Sequence, residues 1–242
     1  MPDGTPVGGS GTFAVLSFGH TKIVDAGYGG AIVTDDHELA ERLRTAEAKL
    51  SEPTESRASL AAAYRNEYYR IQDAARTDPT ADAAYLDFPE RYRPLYLDRF
   101  DPGRAEDIAA ALDRLDASVA ARRRKASIYD DAVASAGLRP LGREAGAAPW
   151  RYGILLPAEE QLRITEGLRA EGFDASNWYP SIHRWFASGR TPDAPDMPAA
   201  GQHEKTILNL WLDDPTDESR VVSTAECLIQ LVEQNKRHKV AL

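Results

Sequence analysis

The stretch LSFGHTKIVDAGYGGAIVTDD (16–36) constrains the fold more than any other part of the chain. Two short apolar runs, TFAVLSF (12–18) and GAIVT (30–34), enclose a bend that holds Lys22, Gly27, Gly29 and Gly30. Continuous apolar runs bounded by glycine read as buried strands, so residues 19–29 are expected to turn between two of them. The glycines allow positive φ and close backbone approach. A lysine in such a bend either reaches solvent, as most lysines do, or is held for a purpose. Desolvation would favour its neutral amine, the nucleophile needed to form an imine with a carbonyl. Ser17, on the first run, is placed to offer its hydroxyl to a phosphate.

After this bend, TDDHELAERLRTAEAKL predicts a helix capped by Thr34 or Asp35, with Leu39, Leu43 and Leu50 as its apolar stripe. ESRASLAAAYRNEYYRIQDAAR reads as helical, and the Pro-, Tyr- and Arg-rich segment up to residue 103 as irregular structure with short helices. From Arg104, the recurrence of Ile108, Leu112, Leu115, Val119, Ala126, Tyr129 and Val133 predicts one long amphipathic helix to about residue 135. WRYGILLP (150–157) is an expected strand, AEEQLRITEGLRAEG a helix and FDASNWYP a second strand. A loop is expected over 187–202, then the apolar segment KTILNLWL and a terminal helix with Pro215 and Asp217 at its start. The expected class is α/β, divided into residues 1–103 and a compact subdomain over 104–242.

Composition narrows the partners. Lys and Arg total 29 against 38 Asp and Glu, a net charge of −9, which argues against nucleic acid or an anionic membrane as the main partner. The one cysteine, Cys227, excludes an intrachain disulfide and fits a reducing cytoplasm. No apolar run approaches the roughly 20 residues of a membrane span, and MPDGTPVGGSG lacks the features of a signal peptide, so a soluble cytoplasmic protein is expected. GGSG is followed by no Gly-Lys-Ser/Thr, so it is not a phosphate-binding Walker loop. Ser17 lacks a Gly-x-Ser-x-Gly context, and His183 and His203 lack metal-ligand spacing, so neither a serine hydrolase nor a metal site is expected.

The segment SFGHTKIVDAGYGGAIVTDD resembles the lysine segment of the DegT/StrS family of pyridoxal-phosphate (PLP) sugar aminotransferases, which have the fold type I architecture. Ser17, Phe18, Lys22, Gly27, Gly29, Gly30, Thr34 and Asp36 fall in register with that family's pattern. The resemblance implies that Lys22 forms the Schiff-base link to PLP and that Ser17 contacts the cofactor's phosphate. Some relatives carry histidine in place of this lysine and act as dehydratases, so Lys22 favours transamination. More loosely, EDIAAALDRLDASVAARRRKASIYDDAV resembles the family's long helix. WRYGILLP through NWYPSIHRWF resembles part of the small domain, and EKTILNLWLDDPTDES its last strand. The fold implied is the C-terminal part of such an enzyme: the end of the large-domain sheet, a linking helix and a small α/β domain.

The resemblance implies further residues and a partner. His20, in the bend, is a candidate for the cofactor region, with a backbone-bonded turn histidine as the alternative. Arg104 falls where the family has an asparagine that reaches the neighbouring subunit's phosphate, and arginine can bind phosphate bidentately. His183 and Tyr179 fall near the substrate mouth, with Trp178 and Trp185 as further candidates or as core. Arg65, Asn66, Tyr68, Tyr69 and Arg70 are expected either to contact substrate or to pack against another part of the protein. The family's pyridine-pairing aspartate precedes its lysine by a long stretch, and residues 1–11 offer no counterpart. The expectation is therefore a split enzyme. A complementary N-terminal-half polypeptide would complete a hetero-oligomer acting on a small amino donor and a keto-sugar or similar cyclic ketone. A non-catalytic accessory subunit and a fragment are the alternatives.

Overall fold

The computed structural model describes residues 8–54, 56–75, 78, 80–144, 146–178, 181 and 197–240. Strands β1 (Ala14–Ser17) and β2 (Gly30–Val33) form the expected pair, antiparallel, with Ala14 opposite Val33 and Ser17 opposite Gly30. Their burial differs from expectation: Val15 is 70% and Ile32 48% exposed, and Leu16 and Val33 are exposed too. Successive strand residues point to opposite faces, so both faces of this ribbon are apolar and largely open, with Ala31 half-buried against Phe18, Ala26 and Ile108. Among the described residues these two strands also pair only with each other.

Helix α1 (His37–Glu47) begins one residue later than the sequence suggests. Asp36 caps it, its carboxylate accepting from Leu39 N at 3.0 Å. Thr34, one of the two expected caps, instead donates to Thr12 O at 2.6 Å and accepts from Asp36 N at 3.1 Å, closing the strand pair. Helix α2 (Ser56–Ala74), a 3₁₀ segment (Ala81–Asp87), α3 (Phe88–Arg91) and α4 (Arg93–Leu97) follow, as the irregular helical reading predicts. Proline stands in the first turn of both α3 and α4, where a missing N–H costs least. Ile71, Tyr85, Phe88 and Tyr92 form a core of their own, with Tyr64, Tyr68 and Trp178 packed against it. Tyr68 and Trp178 therefore pack in this aromatic core, their rings 6.0 Å apart.

The single long helix expected from Arg104 is two: α5 (Ala105–Asp113) and α6 (Leu115–Ser135), interrupted at Arg114 with φ −92° and ψ 0°. The two segments serve different cores, which periodicity alone does not separate. Ile108 of α5 packs with Phe18 and Ala26 of the lysine bend. Ala126, Tyr129 and Val133 of α6 face a second sheet. That sheet contains β3 (Arg139–Pro140), β4 (Tyr152–Leu155), β5 (Ala175–Ser176) and β6 (Ile207–Leu210), in the order β3-β4-β6-β5 and antiparallel throughout.

Helices α7 (Ala158–Ala170) and α9 (Glu218–Val240) complete the layer against the sheet. Ile154, Ile164, Leu168, Leu208, Leu210 and Leu228 are wholly buried between them. Asp217 caps α9 through Arg220 N at 2.7 Å, as expected at that start. Within the expected loop over 187–202, residues from Pro198 onward instead form α8 (Pro198–Thr206); proline suits a first helical turn. Among the described residues, no helix is long and apolar enough to cross a membrane, and no group of three His, Cys, Asp or Glu could hold a metal ion.

Candidate active site

The bend between β1 and β2 is built by a small set of hydrogen bonds. Phe18 N donates to Gly29 O and Ala26 N to Phe18 O, both at 2.9 Å, so the loop folds back on the end of β1. Asp25 organises its interior, accepting from Thr21 N at 2.8 Å and Gly27 N at 2.7 Å. Gly29 has φ +91°, and a Cβ there would lie 2.7 Å from Phe100 Cε2. Gly30 is needed for a different reason: a Cβ would lie 2.5 Å from the backbone carbonyl oxygen of Leu16. The glycines close the bend tightly against β1 and Phe100, while Lys22 stands out from it.

Lys22 N donates to Gly19 O at 3.1 Å, and its side chain is exposed. Its Nζ lies 5.2 Å from the centroid of the Trp150 ring. Thr21, just before it, has φ +71°, a left-handed conformation costly for a β-branched residue. The Trp150 indole N–H donates to Thr21 O and ties that residue to the start of β4. Trp150 O in turn accepts from Arg122 Nη1 at 3.2 Å. Arg122 is 2% exposed, and burial lowers the pKa of its guanidinium. Nothing in the sequence spacing marks Trp150 as a partner of Lys22. The available signal was a tryptophan at the mouth of a strand with an arginine beside it.

Ser17 ends β1, and its Oγ accepts from Gly19 N at the long distance of 3.4 Å. His20 is neither free nor bonded to backbone in the way expected for a turn histidine: its Nδ1 lies 3.3 Å from Asp25 Oδ2. Arg104 reaches the same loop from the other side, its Nη2 donating to Ala26 O at 2.7 Å and its Nη1 lying 3.2 Å from Asp107. Both Arg104 and Arg57 stand over the Tyr28 ring, at 5.4 and 4.8 Å. Burial and then Asp101, which accepts from the Tyr28 hydroxyl at 3.3 Å, raise the pKa of that phenol. A cleft of about 520 Å3 opens behind the loop, lined by Asp25, Gly27, Arg104, Asp107 and Arg114. The structure thus gathers Ser17, His20 and Lys22 on one loop and braces it with Arg104. Tyr179 and His183, and with them Trp185, lie outside the described residues.

The comparisons with known proteins bear on this loop directly. Residues 2–88 match the DegT/DnrJ/EryC1/StrS aminotransferase family. The matched segment contains the whole lysine bend. The chain is 26% identical to L-glutamine:2-deoxy-scyllo-inosose aminotransferase of Streptoalloteichus tenebrarius, over 74% of this chain and 39% of that protein. Among solved structures it is similar to the aminotransferase TlmJ from Streptoalloteichus hindustanus, with a TM-score of 0.69, 20% identity and coverage of 96% of this chain and 55% of the other. It is similar as well to the PLP form of Spr1654 from Streptococcus pneumoniae, with a TM-score of 0.68, 16% identity and coverage of 96% and 54%. The chain therefore spans 39% of its curated relative and about half of these structures. At such identities the structural likeness is one of fold, and the expected α/β architecture, part of a larger aminotransferase fold, agrees with it.

Proposed function

We propose that this chain is the lysine-bearing part of a PLP-dependent aminotransferase that exchanges an amino group between an amino acid and a keto-sugar or similar cyclic ketone. The observation that carries the reading is Lys22, exposed on a glycine-built loop inside the segment that matches the aminotransferase family. The donor set suits one side of PLP. An accessible primary amine suits its aldehyde, and a hydroxyl and an adjacent backbone N–H, at Ser17 and Gly19, suit its phosphate. The third requirement, a carboxylate for the ring nitrogen, is not supplied by Asp25, which is engaged with Thr21, Gly27 and His20. The bend itself therefore does not supply the group that pairs with the ring nitrogen, and that group would come from elsewhere in the complete enzyme. The apolar, open faces of β1 and β2 support that reading, because a strand that is apolar on both faces is one that is covered on both faces.

When bound, PLP supplies the electron sink that makes removal of an α-proton easy. This chain's contribution is acid–base and geometric. Lys22 Nζ would serve as general base at the donor's α-carbon and then, as the protonated ammonium, as general acid that delivers the proton to a different carbon, so that the proton is shifted and not returned. Ser17 Oγ and Gly19 N, at and just after the end of β1, would hold the cofactor's phosphate. Asp25 fixes the loop from within and orients His20, while Arg104 braces it through Ala26 O. Direct phosphate contact by Arg104, and substrate contact by Tyr179 and His183, are parts of the proposal that rest on the family resemblance. So is a division of the chain at residues 103/104, across which Ile108 packs on the lysine bend.

The test is Lys22→Ala in the complete enzyme. Loss of the positioned base predicts a fall in turnover of about 10²- to 10⁴-fold, with the fold retained. Turnover equal to wild type would overturn the reading and favour a non-catalytic accessory role.

A further inference from the structure

Three independent contacts converge on Trp150, a residue outside the segment that matches the family. Its indole N–H donates to Thr21 O, its backbone carbonyl is held by buried Arg122, and its ring receives the Lys22 ammonium. The guanidinium of Arg151 lies 4.9 Å from the same ring and 4.2 Å from that of Trp211. The ring is thereby seated on the second sheet, and one cation of the pair on it comes from the opposite side of the sequence. Lys125 holds the backbone that follows Trp211. It is 4% exposed, and its Nζ donates to Asp213 O at 2.7 Å and Leu212 O at 3.4 Å, just beyond Trp211. Its pKa is lowered by burial, partly offset by nearby Asp214.

The consequence for Lys22 is specific. A long, exposed lysine side chain samples many rotamers, whereas an aromatic face attracts its ammonium and narrows that set. The hydrogen bond to Thr21 O acts separately, pinning the residue before Lys22 in a left-handed conformation it would otherwise leave. We propose that Trp150 is the positioning residue for Lys22: its N–H fixes the backbone of the lysine loop, and its ring holds the lysine's amine whenever that amine is not bound to cofactor. This rests on the functional reading of Lys22 given above.

The two roles separate by substitution in the intact enzyme stripped of cofactor. Trp150→Phe keeps an aromatic face and loses the N–H; Trp150→Leu loses both. Acetylation of Lys22 by acetic anhydride is followed by mass spectrometry, and hydrogen exchange of the Lys22 amide, which donates to Gly19 O, reports on the loop. Release from an exposed cation–π contact corresponds to a factor of about two to five. Trp150→Leu should accelerate acetylation by that factor and Trp150→Phe by clearly less, while both variants speed amide exchange. Acetylation in Trp150→Leu at the wild-type rate would overturn the proposal. Independently of any variant, wild type should show nuclear Overhauser contacts between the Lys22 Cε protons and the Trp150 ring; their absence would overturn it too. Borohydride reduction of the loaded enzyme separates the two layers. PLP fixed to Lys22 with unchanged acetylation sinks the Trp150 role alone, and PLP fixed elsewhere sinks the functional reading on which it rests.

Discussion

The glycines of the lysine bend should tolerate alanine in a graded order set by what each new methyl group meets. At Gly27, with φ +83°, the Cβ would lie 3.6 Å from Arg104 Nη2, an ordinary contact, so only backbone strain is added. A left-handed alanine costs roughly 1–2 kcal/mol, which opens the loop about 5- to 30-fold more often. Gly29 carries similar strain at φ +91°, and its Cβ would also meet Phe100 at 2.7 Å; displacing that ring adds roughly 1–3 kcal/mol. At Gly30 the obstacle is the Leu16 carbonyl oxygen at 2.5 Å, which is backbone of the paired strand and cannot rotate away. Gly30→Ala should therefore separate β1 from β2 at the mouth of the bend, next to the Ser17–Gly30 pair. Amide exchange at Phe18 and Ala26, whose N–H groups close the loop, reads this directly. The expected order of protection is wild type, then Gly27→Ala, then Gly29→Ala, with Gly30→Ala least protected. Gly30→Ala protected as well as Gly27→Ala would refute the close-packed bend.

Burial raises the Tyr129 phenol from 10.0 to about 12, so the folded state keeps that proton after the unfolded state has lost it. The associated stability is fully present below pH 10 and is lost as pH rises towards 12, by about 2–3 kcal/mol; Tyr129→Phe should reduce the alkaline slope of urea-unfolding free energy by about one proton. Leu228 is wholly buried between α9 and the second sheet, and Leu228→Ala should cost about 2–5 kcal/mol in the same assay, with no change in the α-helical circular dichroism below the transition.

The lysine bend was legible because its information is local: glycine at positions that a Cβ would block, and apolar runs on either side. The same local code placed the cap of α1 at Thr34 or Asp35, since Thr and Asp both cap well; Thr34 is drawn off by its strand-closing bond to Thr12 O, and it is the Asp36 carboxylate that accepts from Leu39 N. Apolar periodicity passed unbroken through Arg114 because α5 and α6 each need an apolar stripe, though they face different cores. Burial of β1 and β2 is not legible from their apolar runs alone. An apolar run shows what a strand can bury, whereas its cover depends on neighbours, and among the described residues β1 and β2 pair only with each other. Trp150 was missed because 129 residues separate it from Thr21, and a tryptophan beside an arginine at the mouth of a strand does not say which loop it contacts.

Reductive trapping tests the central claim most directly. The complete enzyme is loaded with PLP, reduced with borohydride, digested and mapped by mass spectrometry. One phosphopyridoxyl-lysine is expected in this chain, at Lys22, within the peptide between Ser17 and Gly30. A modified lysine at any other position, with Lys22 recovered intact, would contradict it.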